Sequence, residues 1–158
     1  MSSDCQPRKD YLSWEETFMQ MAHLMKERSK DPSTQVGAVI VSSDNRVLSL
    51  GYNGTPNGYP DDEFPWGKHN DNPLENKYLY VVHAERNAIL NYRGILRELS
   101  GATLYVTHYP CHECAKEIIQ TGISNVIYDD EHNNDPATTI MFDKCGVTAR
   151  KWSARLRG

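Results

Sequence analysis

The sequence lacks both a long hydrophobic run and a recognisable N-terminal leader. No apolar stretch among its 158 residues approaches the ~18 residues of a membrane-spanning helix, so we expect no membrane insertion. The first ten residues are polar and contain no basic-then-apolar segment of the kind that directs secretion. These absences predict an unprocessed, cytoplasmic protein, in which cysteines stay reduced.

Positive charge is not in excess either. The 17 Lys and Arg residues are outnumbered by 21 Asp and Glu residues, which gives a net charge of −4. Nucleic-acid-binding proteins usually carry a basic surplus, because phosphate contacts supply much of their affinity. The composition therefore disfavours a nucleic-acid partner. Hydrophobic residues make up 39% of the chain, enough to bury a core, which excludes wholesale disorder.

The length fits one domain over residues 1–158, with a core of about 10–152. Hydrophobic periodicity, caps and turn residues predict the element order α-β-β-α-β-α-β-α-β. The predicted helices are 14–28, 83–92, 111–121 and 135–144, and the predicted strands are 36–41, 47–52, 102–107, 126–128 and 147–152. This alternation favours helices packed on a mixed sheet.

Residues 53–80 form a long irregular segment that holds four of the eight prolines and five aromatic side chains. A loop of this length inside a compact domain is usually functional or disordered. Its aromatic content predicts a packed loop.

Two short motifs point to metal chemistry. One is His83-Ala84-Glu85, and the other, 28 residues after His83, is Pro110-Cys111-His112-Glu113-Cys114. The Cys-x-x-Cys spacing puts two thiols on one face of a helix start, where unpaired N–H groups favour the thiolate form. With His83 they offer three ligands to zinc and leave a fourth position for water, as in catalytic zinc sites. Glu85 lies close enough in sequence to reach that water without binding the metal.

Two other interpretations fit part of this pattern. A lone Cys-x-x-Cys is also found as a redox pair, although a redox pair does not require the upstream His-x-Glu. A closed structural zinc site needs a fourth ligand, for which His108, His112 and Cys145 are the candidates, but Glu85 would then have no role. Cys5 and His69 offer only weak support for a second zinc site.

The combination of His-x-Glu and Pro-Cys-x-x-Cys is the signature of the zinc nucleobase and nucleotide deaminases. Further segments resemble the deoxycytidylate (dCMP) deaminase branch of that superfamily. These are Arg28-Ser29-Lys30-Asp31-Pro32, Gln35-Val36-Gly37-Ala38, Gly51-Tyr52-Asn53-Gly54-Thr55-Pro56-Asn57-Gly58, Pro65-Trp66, Glu85-Arg86-Asn87-Ala88-Ile89 and Glu113-Cys114-Ala115-Lys116. The resemblance extends from about residue 10 to residue 152. It implies a three-layer α/β/α cytidine-deaminase-like fold with a five-stranded mixed sheet.

The resemblance also implies residue roles in the hydrolysis of dCMP to dUMP and ammonia. His83, Cys111 and Cys114 match the ligands of one catalytic Zn²⁺, and Glu85 matches the group that shuttles protons between the water and the pyrimidine. Asn53 matches the residue that binds the 3′-hydroxyl of the sugar. Ala84, Val36 and Tyr109 are expected around the base, and Arg28, Ser29 and Lys30 are the candidates for the 5′-phosphate.

Regulation is the last implication of the resemblance. It predicts a homo-hexamer that dCTP activates and dTTP inhibits, with Mg²⁺ accompanying the triphosphate. Asn57, Gly58 and Lys77 are the candidate effector contacts. The alternatives that stay open are a deaminase that also accepts dCTP, a tRNA or single-stranded nucleic-acid deaminase, and a binding module without activity. The last is disfavoured because no motif residue is missing.

Overall fold

The structure is a computed structural model, and it describes residues 5–68, 71–131 and 134–153. The predicted order of elements is confirmed within these ranges. In chain order they are α1 Trp14–Lys26, β1 Gly37–Val41, β2 Val47–Tyr52, α2 Ala84–Leu90, β3 Thr103–His108, α3 His112–Thr121, β4 Asn125–Asp130, α4 Pro136–Cys145 and β5 Thr148–Lys151. Across the described ranges, we find no helix with the length and apolar character to cross a bilayer.

Several predicted boundaries were too wide. Helix α1 ends at Lys26 instead of Arg28, and α2 covers only Ala84–Leu90 instead of 83–92. In both places the chain leaves the helix through a turn, whose hydrogen-bonding pattern does not appear in the hydrophobic periodicity. The start of α1 is as predicted, because the Ser13 hydroxyl accepts a hydrogen bond from the Glu16 N–H at 3.1 Å.

The five strands form one mixed sheet in the order β2-β1-β3-β4-β5. Strand β1 runs antiparallel to both β2 and β3, whereas β3, β4 and β5 are parallel. Strands β2 and β3 therefore point the same way, and their carboxyl ends lie at the same edge of the sheet. The residues that follow these two strands are thus brought together at that edge.

Helices cover both faces of the sheet, which confirms the three-layer α/β/α arrangement. On one face α1 packs against the sheet, and the buried cluster there is Phe18, Met19, Ala22, Val39, Val41, Tyr105 and Ile127. On the other face lie α2, α3 and α4, with a core that includes Ala88, Leu104, Val106, Ile118, Val126 and Phe142. Both clusters alternate along the strands, as side chains on opposite faces must.

Two glycines allow the helices to approach the sheet closely. A Cβ atom on Gly37 would lie 1.8 Å from the backbone oxygen of Ala22 in α1. A Cβ atom on Gly51 would lie 2.4 Å from the backbone nitrogen of Ala88 in α2. Neither position has room for a side chain, so glycine is required for this layer spacing.

The segment 53–80 is packed, as its aromatic content predicted. Phe64 is buried, and its ring lies 4.5 Å from that of Trp66 and 5.2 Å from that of Tyr59, between ring centroids. Two short 3₁₀ helices, Pro73–Glu75 and Lys77–Leu79, follow before the chain enters α2. His69 lies outside the described residues.

Candidate active site

Three side chains with metal-binding atoms meet where α2 and α3 begin. His83 is the N-cap residue of α2, Cys111 is the N-cap residue of α3, and Cys114 lies in the first turn of α3. Strand β3 leads into α3 at the carboxyl edge of the sheet, and this connection brings Cys111 next to His83 although 28 residues separate them in the chain.

The spacing of these three side chains fits a tetrahedral zinc ion. The His83 Nδ1 atom lies 3.4 Å from the sulfur of Cys111 and 3.4 Å from that of Cys114. Nitrogen and sulfur ligands of one tetrahedral zinc lie about 3.6 Å apart, from the usual Zn–N and Zn–S distances. Among the described residues, these three form the cluster whose ligand atoms all lie within 4.8 Å of one another.

The protonation of the two thiols also favours a cation. Hydrogen bonding from Cys114, against the opposing effect of burial, and hydrogen bonding with His83 lower the pKa of Cys111 to about 3. Hydrogen bonding with Cys111 and burial raise the pKa of Cys114, because both disfavour a second negative charge. The Cys111 hydrogen bond likewise raises the pKa of His83. Without a cation the cluster therefore holds one thiolate, that of Cys111, and zinc would supply the positive charge that lets Cys114 ionise as well.

Glu85 is the carboxylate of the site. It lies in the first turn of α2 and is 4% exposed. Its Oε2 atom accepts a hydrogen bond from the Cys114 sulfur at 3.5 Å. Burial raises the pKa of Glu85 above its ordinary value of 4.5, so this carboxyl exchanges a proton more readily near neutral pH than an exposed one.

Arg86 links the two helices that carry the ligands. It lies in α2, and its Nε atom donates to Glu117 of α3 at 2.7 Å. This bond raises the pKa of Arg86, and the two cysteine sulfurs raise it further. The guanidinium therefore both joins α2 to α3 and partly offsets the negative charge of the Cys111 thiolate.

A cavity of about 310 Å³ opens beside this cluster, and we call it the zinc cavity. All four residues expected around the base and the sugar line this cavity: Val36, Asn53, Ala84 and Tyr109. The other lining residues are His83, Glu85 and Cys111 of the zinc site and Asp31, Thr34, Lys77, Tyr78, Val81, His108 and Asp135. The sequence did not indicate Asp31 or Asp135 as cavity residues. In the sequence each of them precedes a proline, a pattern that indicates only a turn or the start of a helix.

Asn53, immediately after β2, is held by backbone on both sides of its amide. Its Nδ2 donates to the Thr34 carbonyl at 2.9 Å, and its Oδ1 accepts from the Val36 N–H at 2.8 Å. An amide offers two N–H donors and two oxygen lone pairs. One donor and one lone pair remain for a ligand in the zinc cavity, in an orientation that residues 34–36 set.

The predicted phosphate contacts are not at this cavity. Arg28 and Lys30 line a second cavity of about 240 Å³, which we call the outer cavity. Its other lining residues are Tyr52, Gly54, Thr55, Asn57, Trp66, Asn87 and Asn91. Arg28 lies 5.8 Å above the Tyr52 ring, and Lys30 pairs with Asp61.

Two more predicted contacts are separated from their expected partners. Lys77, predicted beside Asn57 and Gly58, lines the zinc cavity and pairs there with Asp31. Ser29 lines neither cavity, and its hydroxyl accepts from the Asp31 N–H at 3.4 Å. Arg28 and Lys30 therefore line the same cavity as Asn57, and Lys77 lines the same cavity as Asn53. The prediction had instead placed Arg28 and Lys30 with Asn53 on the substrate, and Lys77 with Asn57 at the effector.

The three candidates for a fourth protein ligand lie outside the cluster. His112 Nδ1 is 2.8 Å from Asp135, and His108 Nδ1 is 3.9 Å from Asp130. Cys145 is exposed at the end of α4. Three ligands with an adjacent carboxylate, and no fourth in the described part of the chain, correspond to the catalytic type of zinc site.

Comparison with known proteins agrees with this geometry. Residues 12–129 match the cytidine and deoxycytidylate deaminase zinc-binding region. The deoxycytidylate deaminase of Pongo abelii is 50% identical over 152 residues, which cover 94% of this chain and 84% of that protein. A probable deoxycytidylate deaminase of Drosophila melanogaster is 49% identical over 159 residues, covering 95% and 77% of the two chains.

A solved structure gives the same result. The dCMP deaminase of cyanophage S-TIM5, crystallised in complex with dCMP and dUMP, aligns with a TM-score of 0.69 at 28% identity. The alignment covers 87% of this chain and 96% of the phage protein. With the family match extending over most of the chain and relatives at about half identity, the protein belongs to the cytidine and deoxycytidylate deaminase family of zinc-binding enzymes.

Proposed function

We propose that the protein converts dCMP and water to dUMP and ammonia, a step that supplies thymidine nucleotide synthesis. The observation that carries this proposal is one cavity that is lined both by His83, Cys111 and Glu85 of the zinc site and by Asn53. The zinc site suits an aminopyrimidine and Asn53 suits a deoxyribose. The relatives named deoxycytidylate deaminase support the same substrate.

Zinc held by these three ligands would supply a Lewis acid that makes a water molecule nucleophilic at neutral pH. The Glu85 carboxylate would take a proton from the attacking water as its oxygen bonds to C4 of the pyrimidine, and would give that proton to N3. The same carboxylate would then move the proton of the new C4 hydroxyl to the amino group, so that the C4–N bond breaks, ammonia leaves and the C4 carbonyl forms. The raised pKa that burial gives Glu85 suits a group that must both accept and release protons.

The walls of the zinc cavity hold the base in place. Tyr109 is buried, its hydroxyl lies 2.7 Å from the Thr139 hydroxyl, and its ring meets that of Tyr128 edge-on at 4.8 Å. Val36 is fixed by two hydrogen bonds with Asn53. Rigid walls of this kind keep the reacting atoms aligned, which contributes to rate without forming new bonds.

We assign the outer cavity to an effector nucleotide. Arg28 and Lys30 supply the positive charge that a triphosphate requires, Asn57 lies beside them, and Gly58 follows at a positive φ of 88°. Mg²⁺ would enter with the triphosphate, bound mainly through phosphate oxygens and water. Activation by dCTP and inhibition by dTTP fit an enzyme whose product leads to thymidine nucleotides.

Regulation of this kind also requires subunit contacts, and a homo-hexamer is the assembly we propose. Exposed apolar side chains at the end of α2 and just after it offer contact area, with Leu90 67% exposed and Ile95 59% exposed. Analytical ultracentrifugation tests the assembly directly: a hexameric mass supports the proposal, and a monomer at all concentrations contradicts it. A cytoplasmic location remains a prediction from the sequence.

The deciding experiment measures ammonia release by the purified protein from dCMP, deoxycytidine, cytidine, dCTP, a tRNA and a single-stranded oligonucleotide. We expect dCMP to react fastest. Comparable rates on dCTP would broaden the substrate class, and a preference for the nucleic acids would replace the proposal. A Glu85→Gln protein prepared in the same way controls for contaminating deaminases.

A further inference from the structure

A fully buried ion pair lines the zinc cavity without touching the metal cluster. The Lys77 Nζ atom lies 2.6 Å from the Asp31 Oδ2 atom, and the two side chains are 3% and 2% exposed. They come from distant parts of the chain, since Asp31 follows α1 and Lys77 begins the 3₁₀ helix before α2. A buried ion pair adds little net stability, because desolvation offsets its attraction. Its value must therefore be sought in what it holds in place.

Asp31 shapes the turn that carries the backbone partners of Asn53. Its other carboxylate oxygen accepts from the N–H groups of Ser33 at 2.8 Å and Thr34 at 3.2 Å. The Asp31 carbonyl accepts from the Gln35 side chain at 2.6 Å. The same turn continues to the Thr34 carbonyl and the Val36 N–H, which hold the Asn53 amide. The carboxylate thus fixes the residues that orient Asn53.

Lys77 completes a closed ring of contacts around the cavity. The Val81 N–H donates to the Lys77 carbonyl at 2.8 Å, and Val82 pairs with Gly54 through backbone bonds of 2.8 and 3.0 Å. Gly54 directly follows Asn53. The ring therefore runs from Asn53 through residues 34–31, across the ion pair to Lys77, and back through Val82 and Gly54. Within this ring, the contact between Lys77 and Asp31 is the one that joins two charged side chains, and the other contacts are hydrogen bonds to the backbone.

We propose that Lys77 is a positioning residue, which orients Asn53 toward the sugar through Asp31 and the turn 31–36. The inference rests on the proposed function, in which Asn53 binds the 3′-hydroxyl. Loss of the ammonium would release the turn and leave the Asn53 amide free to rotate. The value of kcat/KM would then fall for substrates that carry a 3′-hydroxyl, and would fall far less for substrates without one.

The test compares dCMP with 2′,3′-dideoxycytidine 5′-monophosphate, which lacks the 3′-hydroxyl. For Lys77→Met we expect kcat/KM on dCMP to fall about 10- to 100-fold, the size of effect that a small misplacement causes. On the dideoxy substrate we expect a fall below about threefold. In an Asn53→Ala background the Lys77 substitution should have no further effect on dCMP, because coupled residues are not additive. Equal losses on both substrates, as a direct phosphate contact or general instability would cause, would overturn the proposal.

Three further variants keep the test interpretable. Lys77→Arg, which retains the charge, should recover most of the selectivity for dCMP. The double variant Asp31→Asn/Lys77→Met leaves no unpaired buried charge and therefore folds even where the single variant does not; it should show the same selective loss. Lys151→Met, at an exposed lysine 3.2 Å from Glu131, is the matched control.

A structural measurement separates this inference from the proposed function. In a crystal structure of Asp31→Asn/Lys77→Met, we expect Asn53 to have lost its bonds to Thr34 and Val36. An unchanged Asn53 would overturn the inference whatever the substrate proves to be. If Asn53→Ala alone lowers kcat/KM equally on both substrates, Asn53 does not bind the 3′-hydroxyl, and the inference is then wrong as well. Deamination of dCMP by the wild-type protein would still stand.

Discussion

Tyr52, the last residue of β2, lines the outer cavity, whereas Asn53, which directly follows it, lines the zinc cavity. Successive side chains of an extended chain point to opposite sides, so these two neighbours reach different cavities. The Tyr52 carbonyl also accepts a hydrogen bond from Asn87 at 2.7 Å, and Asn87 lies two residues after Glu85 in α2. A ligand that moves Tyr52 would therefore move the backbone next to Asn53, the proposed sugar contact. It would also act on α2, which carries Glu85.

Cysteine substitution tests the metal site. We expect Cys111→Ala and Cys114→Ala to lose zinc, measured by mass spectrometry of the metal content, and to lose activity, because two ligands cannot hold the ion as three do. Cys145→Ala, at an exposed cysteine that is not part of the cluster, should keep one zinc per chain. Full zinc content in either ligand variant would contradict the assignment.

The role of Glu85 predicts a loss of turnover without a loss of metal. Glu85→Gln keeps the size of the side chain but cannot take up a proton, so kcat should fall by about 10²–10⁴-fold or more. Zinc content should equal that of the wild type. Glu131→Gln, at an exposed position, is the control. If the Glu85→Gln enzyme stays active, another group must transfer the protons.

The 5′-phosphate is expected to be required for efficient reaction. A charged phosphate accepts stronger hydrogen bonds than a neutral hydroxyl does, so the nucleoside deoxycytidine, which lacks the phosphate, should react far more slowly than dCMP. Steady-state kinetics on the two compounds provide the measurement. Equal kcat/KM values would assign the protein to the nucleoside deaminases of its family.

Substitution of Arg28 distinguishes its two possible ligands. Because Arg28 lines the outer cavity, Arg28→Gln should raise the dCTP concentration for half-activation at least about tenfold, since one charge-assisted bond is worth about 1.5–3 kcal/mol. We expect the wild-type rate to be sigmoidal in dCMP concentration and to become hyperbolic with dCTP, and the variant should reach the same hyperbolic curve at saturating dCTP. Arg8→Gln, at an exposed arginine paired with Asp10, is the control. A raised KM for dCMP with an unchanged response to the effector would indicate that Arg28 binds the substrate phosphate, as predicted from the resemblance.

Loss of the buried carboxylate should destabilise the protein in a pH-dependent way. Burial raises the pKa of Asp31, but hydrogen bonds from Lys77 and the 33–34 backbone outweigh it and hold the pKa below its ordinary value of 3.8. A lowered pKa means that the ionised group stabilises the fold above about pH 4 and ceases to do so as the pH falls through the folded-state pKa. Asp31→Asn should therefore cost about 3–5 kcal/mol at neutral pH, because Lys77 is left unpaired.

Urea unfolding at several pH values checks this prediction. The difference in unfolding free energy between wild type and Asp31→Asn should be constant above about pH 5 and shrink below about pH 4. Asp44→Asn, at an exposed carboxylate paired with Arg46, should change stability much less. A difference that grows as the pH falls would contradict the sign of the effect.

Much of this protein could be read from the chain alone. The zinc cluster consists of residues at two helix starts, and the sequence marks such starts locally, through His83-Ala84-Glu85 and Pro110-Cys111. The order of helices and strands follows from periodicity, which is also a local property. Even the packing of segment 53–80 was visible in its aromatic residues.

Only the tertiary structure decided which charged residues share a cavity. The resemblance to the deaminase family placed Arg28 and Lys30 with Asn53 on the substrate, and Lys77 with Asn57 at the effector. The fold instead buries Lys77 against Asp31 and turns Arg28 toward Tyr52. The direction of a long side chain in a loop depends on the charges and rings packed around it. Those neighbours come from distant segments, so no local pattern in the sequence could specify them.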